Sequence, residues 1–221
     1  MSNRLCCESE PKSEMLDLFP PELLKFAPDE QRVSVTLYRL LAQGHPVGEP
    51  HLADEVGLDE DSVRRLLQTW PYVYFDGAGR IIGYWGLSLR EMNHRFEVDG
   101  RQLYTWCAWD SLWIPAILGK TVAVTSRCPE SGQRISLTVS PEGIQEVRPV
   151  EVVMSFLRPE AGKMQEDVIM HFCHFVHFFA SREHGEQWIA RTPGTFLLSL
   201  KQAYELGRRK NETQYPDVLC G

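Results

Sequence analysis

Asp59-Glu-Asp-Ser-Val63-Arg-Arg-Leu66-Leu67-Gln-Thr69-Trp70-Pro-Tyr-Val-Tyr-Phe75-Asp76-Gly-Ala-Gly79-Arg-Ile-Ile-Gly-Tyr84 is a helix pattern that runs into a hairpin pattern. Asp59 has the chemistry of an N-cap, and Val63, Leu66 and Leu67 give one apolar face to a helix over Glu60 to Thr69. Beyond Trp70-Pro71, Tyr72-Val-Tyr-Phe75 and Arg80-Ile-Ile-Gly-Tyr84 flank Asp76-Gly-Ala-Gly79, which predicts two strands and a turn. Upstream, Val33, Leu37, Leu40 and Leu41 mark a helix that stops at Gly44-His-Pro46. Leu52, Val56 and Leu58 mark a short second helix closed by Gly57. Helix, helix, turn, helix, hairpin is the order of a winged helix-turn-helix.

Charge argues against nucleic acid as its partner. Residues 30 to 90 hold six Arg and no Lys against eight acids, and the third helix opens on Asp59-Glu-Asp61. A DNA-reading face is a basic stripe, so a structural or lid role fits this module better. The whole chain of 221 residues carries a formal charge of -7, which again disfavours non-specific nucleic-acid binding. Its 43% apolar content suits a globular protein with a real core. No apolar run reaches membrane-spanning length and the first ten residues lack a signal-peptide core, so the expected compartment is the cytoplasm. Its reducing chemistry and the irregular spacing of Cys6, Cys7, Cys107, Cys128, Cys173 and Cys220 make these free thiols or ligands.

The expected divisions are a flexible N-terminal arm over 1–28, the winged-helix-like domain over 29–86, a catalytic domain over 87–209 and a polar tail over 210–221. Within the arm, Ser13 to Phe19 could make one short helix. Residues 86 to 100 read as a connection with a turn at Asp99-Gly100. Then Leu103-Tyr-Thr-Trp-Cys107-Ala-Trp-Asp110 leads into an apolar helix that Gly119 stops, with Pro115 at a kink or in the first turn. Thr121 to Thr125, Ile135 to Val139 and Val147 to Leu157 read as strands. Residues near Pro159 to Gly162 form a turn, and Val168 to Ala180 read as a buried strand. Glu183 to Arg191 and Thr195 to Leu206 read as helices, the second ending at Gly207. The fold class is therefore α+β: a winged-helix module, then a mixed catalytic domain with a mainly antiparallel sheet.

Two places carry chemistry. Cys107 and Asp110 are three residues apart, on one side of a helical turn, among Trp106, Trp109 and Trp113. A thiol works as the thiolate and is a soft-metal ligand, while a carboxylate among apolar rings holds its proton to higher pH. The pair suits proton transfer coupled to sulfur chemistry, although an isolated Cys-x-x-Asp is more often inert packing. Cys173, with His171, His174 and His177 nearby, could be half of a zinc site, yet no second ligand pair has matching spacing. Cysteine-nucleophile chemistry with a His base is also permitted by these residues.

Taken together, Tyr104-Thr-Trp-Cys-Ala-Trp-Asp110 with Pro115-Ala-Ile-Leu-Gly119, then Cys128, Ile135-Ser-Leu-Thr-Val-Ser-Pro141, and Phe172-Cys-His-Phe-Val-His-Phe-Phe-Ala-Ser181 resemble the organomercurial (alkylmercury) lyases. The resemblance keeps order and spacing from about residue 100 to 182, and a helix-turn-helix-like region ahead of it also fits that family. It implies that Cys107 and Cys173 are the two catalytic thiols and Asp110 the catalytic acid. Cleavage of R-Hg(II) would give R-H and Hg(II), the ion then held by Cys107, Cys173 and Asp110. Trp106, Trp109, Phe172 and Phe175 would take the organic group. Cys128 matches a structural cysteine, and His174 stands where some relatives place another cysteine. No organic cofactor is implied. External low-molecular-weight thiols would release Hg(II), with a mercuric reductase as acceptor. The competing reading is a winged-helix regulator that binds mercury or another metal through cysteines without turnover.

Overall fold

The computed structural model describes residues 25–158 and 167–219. Cys6, Cys7, Cys220, the expected helix at Ser13 to Phe19 and the turn at Pro159 to Gly162 lie outside these. Among the described residues three helices come first: α1 (Pro28–Leu41), α2 (Glu49–Val56) and α3 (Glu60–Thr69). Val33, Leu37 and Leu41 are fully buried along the predicted stripe of α1. Asp59 caps α3, its carboxylate accepting the Ser62 N–H at 2.9 Å. The hairpin follows as β1 (Val73–Phe75) and β2 (Ile81–Tyr84). Phe26, which falls in the expected arm, stacks on Trp70 with ring centres 5.3 Å apart.

The hairpin does not stand apart as a wing. β2 pairs with β3 (Leu87–Ser88), β3 with β5 (Arg101–Thr105), and β5 with β4 (His94–Val98). β6 (Val122–Arg127), β7 (Arg134–Ser140) and β8 (Gly143–Arg148) complete one antiparallel sheet of eight strands, ordered β1-β2-β3-β5-β4-β6-β7-β8. Residues 86 to 100, expected as a connection, thus supply two strands. His94, Phe96 and Val98 are buried alternately with Arg95 and Glu97, a period of two that is legible once the Asp99-Gly100 turn is taken as a hairpin.

α4 (Asp110–Leu118) follows β5 and lies buried, with eight of its nine residues inaccessible. A helix that is apolar all round belongs in the middle of a core. Pro115 sits inside it, and Gly119 ends it as expected. A second, three-stranded sheet has β9 (Val153–Leu157) between β10 (Phe178–Phe179) and β11 (Thr195–Ser199).

Three expectations fail in the last third. Val168 to Ala180 is not one strand: α5 (Val168–His171) is followed by a 3₁₀ turn (Cys173–Phe175), and only Phe178–Phe179 pair as a strand. Asp167 starts the helix by accepting the Met170 N–H at 3.0 Å, a local signal that outweighs β-branched content. Thr195 to Leu206 divides into β11 and α7 (Leu200–Gln214), after α6 (Arg182–Ile189). The division falls at Ser199, where a reciprocal cap with Gln202 begins α7. Gly207 does not end that helix, and the described residues of the expected polar tail, 210 to 219, lie mostly in helices. α7 continues to Gln214 and α8 (Pro216–Leu219) follows. Lys210, Asn211, Gln214 and Tyr215 are all buried.

Candidate active site

The sulfurs of Cys107 and Cys173 and a carboxylate oxygen of Asp110 lie within 4.8 Å of one another. All three residues are buried. Among the described residues this is the group of His, Cys, Asp and Glu side chains that could hold a metal ion. The zinc reading of the histidines fails among the described residues: His171 and His174 are exposed, the half-buried His177 is bonded through Nε2 to His174 O, and no histidine joins the group that holds Cys173.

Local structure explains how distant residues meet. β5 ends at Thr105, and Cys107 lies in the short turn before α4. There its backbone N–H donates to Asp110 Oδ2 at 2.9 Å. Thr105 Oγ1 donates to the Cys107 carbonyl at 3.0 Å, and Ser111 Oγ to the Ala108 carbonyl at 2.7 Å. The Ala108 N–H donates to Val176 O at 3.1 Å, which ties this turn to the one bearing Cys173.

The acid is set by a second close approach. Tyr84 and Leu87 are ladder partners, so Trp85-Gly86 is a two-residue hairpin turn, with φ of 25° and 91°. The tip of that turn lies against Asp110. A Cβ at Gly86 would fall 2.6 Å from Asp110 Cγ, so only glycine fits on both space and φ. Gly86 O also accepts the Trp106 N–H at 2.9 Å, and Trp85 O accepts the Tyr38 hydroxyl at 2.6 Å.

Burial dominates the electrostatics. It pushes the Asp110 carboxyl up to about 6, opposed by hydrogen bonds from the Cys107 thiol and N–H and by the charge of Lys210. Burial likewise pushes the Cys107 thiol well up, helped by its hydrogen bond to Cys173 and by the Asp110 charge. At Cys173 the hydrogen bond from Cys107 works downward, but burial and the charges of Asp110 and Asp167 outweigh it and leave the thiol raised. The site therefore holds two thiols whose protons burial retains, beside a carboxylate that keeps its proton to higher pH than usual and accepts the Cys107 backbone N–H.

The expected aromatic pocket divides in two. Trp109 packs edge-on to Phe156 and Phe172, and its Nε1–H donates to Ala203 O at 3.0 Å, so it anchors α4 to α7. Trp106 meets Tyr74 of β1, ring centres 5.1 Å apart, and Phe175 packs against His174. Cys128 is buried and apart from the thiol–acid group. The sequence reading missed Gly86, Tyr72, Tyr74 and Lys210. Both tyrosines reach the surroundings of Cys173, whose charge would help burial raise their phenols. Lys210 could have been found, because it falls on the stripe Ala203, Leu206, Gly207, Asn211, Gln214 that α7 buries.

Fold and site together define a two-thiol, one-carboxylate enzyme domain joined to a helix-turn-helix. Family comparison agrees at both ends: residues 87–211 match the alkylmercury lyase family and residues 28–85 match the helix-turn-helix domain of alkylmercury lyase. The chain is 45% identical over 173 residues to the alkylmercury lyase of Pseudomonas putida, covering 78% of this chain and 80% of that one. To those of Staphylococcus epidermidis and Streptomyces lividans it is 41% identical (78% of each chain covered) and 42% identical (80% of each). A solved structure, the mercury-bound form of MerB2, shares the fold at a TM-score of 0.75 and 23% identity, over 92% of this chain and all of that one. The chain belongs to the alkylmercury lyase family of enzymes. Among the described residues no helix is long and apolar enough to cross a membrane.

Proposed function

We propose that this protein cleaves the carbon–mercury bond of R-Hg(II) by protonolysis, with Cys107, Cys173 and Asp110 as its catalytic residues. The observation that carries the reading is the convergence of two buried thiols and one buried carboxyl within 4.8 Å. One thiol gives its proton to Asp110 as its sulfur bonds to mercury, displacing the substrate's other ligand. The second thiol loses its proton to solvent or to that departing ligand, and its sulfur adds electron density to the metal. The carbon–mercury bond then breaks with its electron pair on carbon, which takes the proton from Asp110. Mercury stays Hg(II) throughout, held by two thiolates with the Asp110 carboxylate at hand. No cofactor enters these steps. External low-molecular-weight thiols then exchange the ion off the protein, for a mercuric reductase to accept.

The test is hydrocarbon release. Methane or benzene should appear in the headspace over methylmercury or phenylmercury with protein and excess thiol, and should vanish for Asp110→Ala while mercury binding remains. Mercury uptake without hydrocarbon from the wild type would leave a metal-binding protein and refute the lyase reading. Undiminished turnover in Cys107→Ser or Cys173→Ser would refute the residue assignment.

A further inference from the structure

At one end of the large sheet β4 and β7 begin, β5 and β6 end, and a cleft of about 500 Å³ opens. That volume suits a small molecule. Its walls carry three guanidinium groups, from Arg95, Arg127 and Arg134, against one carboxylate, Glu91. In a chain of formal charge -7 this is a local reversal of sign. Arg127 and Arg134 are direct ladder partners on β6 and β7. Like charges set opposite each other destabilise a sheet, and among the described residues no acid offsets this pair. Arg127 donates to the Gly132 carbonyl at 3.4 Å, and Arg134 has no bonded partner there. Arg95 meets Glu97 at 3.2 Å, a half-exposed contact of little strength in water.

A second signal comes from the buried wall of the cleft. His94 lines it and is 2% exposed. Ser126 Oγ lies 2.9 Å from its Nδ1, while Nε2 makes no hydrogen bond among the described residues. Burial and the neighbouring His177 hold the ring down at about 3, so it stays neutral. With the serine hydroxyl donating to Nδ1, the one ring proton stands on Nε2 and is offered to the cleft. A buried polar edge left open calls for a partner. Guanidinium forks and an imidazole N–H together select an anion with paired acceptor oxygens, which is a carboxylate. The same cleft adjoins the chain that carries the thiols. His94 is the ladder partner of Thr105, which donates to the Cys107 carbonyl at 3.0 Å, and His177 in the wall is four residues beyond Cys173.

We propose that this cleft is a carboxylate-binding site, and that it docks the anionic low-molecular-weight thiol that takes Hg(II) from the protein. The docking role rests on the lyase reading. Two external thiols exchange for Cys107 and Cys173 on the metal: two new sulfur–mercury bonds form, two break, and the protons of the incoming thiols pass to the cysteines. Mercury stays Hg(II). A thiol held by its carboxylates meets the metal at a raised effective concentration.

The experiment has two arms, each comparing the wild type with the double variant Arg127→Gln, Arg134→Gln, whose positions are exposed. In the first, succinate is titrated into metal-free protein by calorimetry. The wild type should bind it at least roughly tenfold more tightly than the variant. Equal affinity, or no binding to the wild type, overturns the proposal. In the second, protein loaded with inorganic Hg(II) is mixed with mercaptosuccinate or 2-mercaptoethanol, and loss of the metal is timed. The variant should be slower by about tenfold with mercaptosuccinate and by less than about twofold with 2-mercaptoethanol. The gap between the thiols should shrink as salt is added. A loss shared by both thiols, or by neither, overturns the docking role. If the double variant does not fold, Arg134→Gln alone takes its place in both arms. Inorganic loading bypasses cleavage, so a wild type that releases no benzene refutes the lyase reading separately.

Discussion

Asp110 shows how one residue can be useful and costly together. Its carboxyl has an ordinary value of 3.8 and sits at about 6 in the folded protein. Between those values the folded state binds more protons than the unfolded state, so stability falls as pH rises through the window. Above it the cost is about 3 kcal/mol from the shift alone. Asp110→Asn should therefore be the more stable protein at pH 7, and the advantage should disappear near pH 4 when urea midpoints are compared. Activity should move the opposite way. On the proposed mechanism the carboxylate must be ionised to accept the first thiol proton, so kcat/KM should decline as pH drops below about 6. Gly86 tests the geometry of the same acid. Gly86→Ala places a methyl within 3 Å of three Asp110 atoms, at a φ of 91°. Hydrocarbon release should fall by about a hundredfold, and stability by about 2 kcal/mol. Mercury affinity should survive, because the thiols are held by other contacts. Equal loss of affinity and turnover would contradict this division.

Elements turn these residues into a site, and α7 does most to fix α4. Asn211 Nδ2 donates to Trp113 O at 2.8 Å, and Ala203 O accepts from Trp109. At Gly207 the helices approach so closely that a Cβ would lie 2.8 Å from Trp113 Cβ. Gly207→Ala should cost about 1–3 kcal/mol in thermal or urea unfolding, although Ala is the better helix former. A neutral or stabilising result would mean the helices separate easily. The sequence signals for this element were ambiguous: a glycine reads as a stop, and a polar run reads as a tail. The 3₁₀ turn at Cys173 was misread for a related reason, since both parities of Val168 to Ala180 mix apolar and polar residues. By contrast, the three N-terminal helices and the first hairpin were legible because caps, turns and periodicity agreed there. The thiol–acid triad was legible from resemblance more than from spacing, because Cys173 is 63 residues beyond Asp110. As for α3, Arg64 is engaged by Glu49, Glu60 and Asp61. Arg65, exposed and bonded to Ser62, is the other cation of this helix, whose first turn also carries Glu60 and Asp61. Duplex DNA titrated at about 0.15 M salt should show no binding in the micromolar range, and steeply salt-dependent binding there would reopen the regulator reading.

Across the whole molecule, the two family matches end at residue 85 and begin at residue 87. Between them is Gly86. The sheet crosses that boundary without a break, from β2 through β3 into β5. Ser34 Oγ joins the hydroxyls of Tyr84 and Tyr215 at 2.9 Å each, linking α1, β2 and the chain beyond α7. A fragment starting at residue 87 should therefore remain unfolded, lacking near-ultraviolet circular dichroism and cooperative melting. A well-folded fragment would show that the ladder is dispensable.

The continuity of that sheet has a hereditary consequence. Asp110, the proposed proton carrier, belongs to one module in sequence, but its resting place is shaped by a turn whose first residue belongs to the other. A chimera with a foreign helix-turn-helix ahead of residue 87 would inherit both sulfurs yet lose the surface that aims the acid. On the proposed mechanism the modules could then have diversified only as a lineage of matched pairs, since a lyase domain given a foreign partner would keep both sulfurs without the surface that aims its acid.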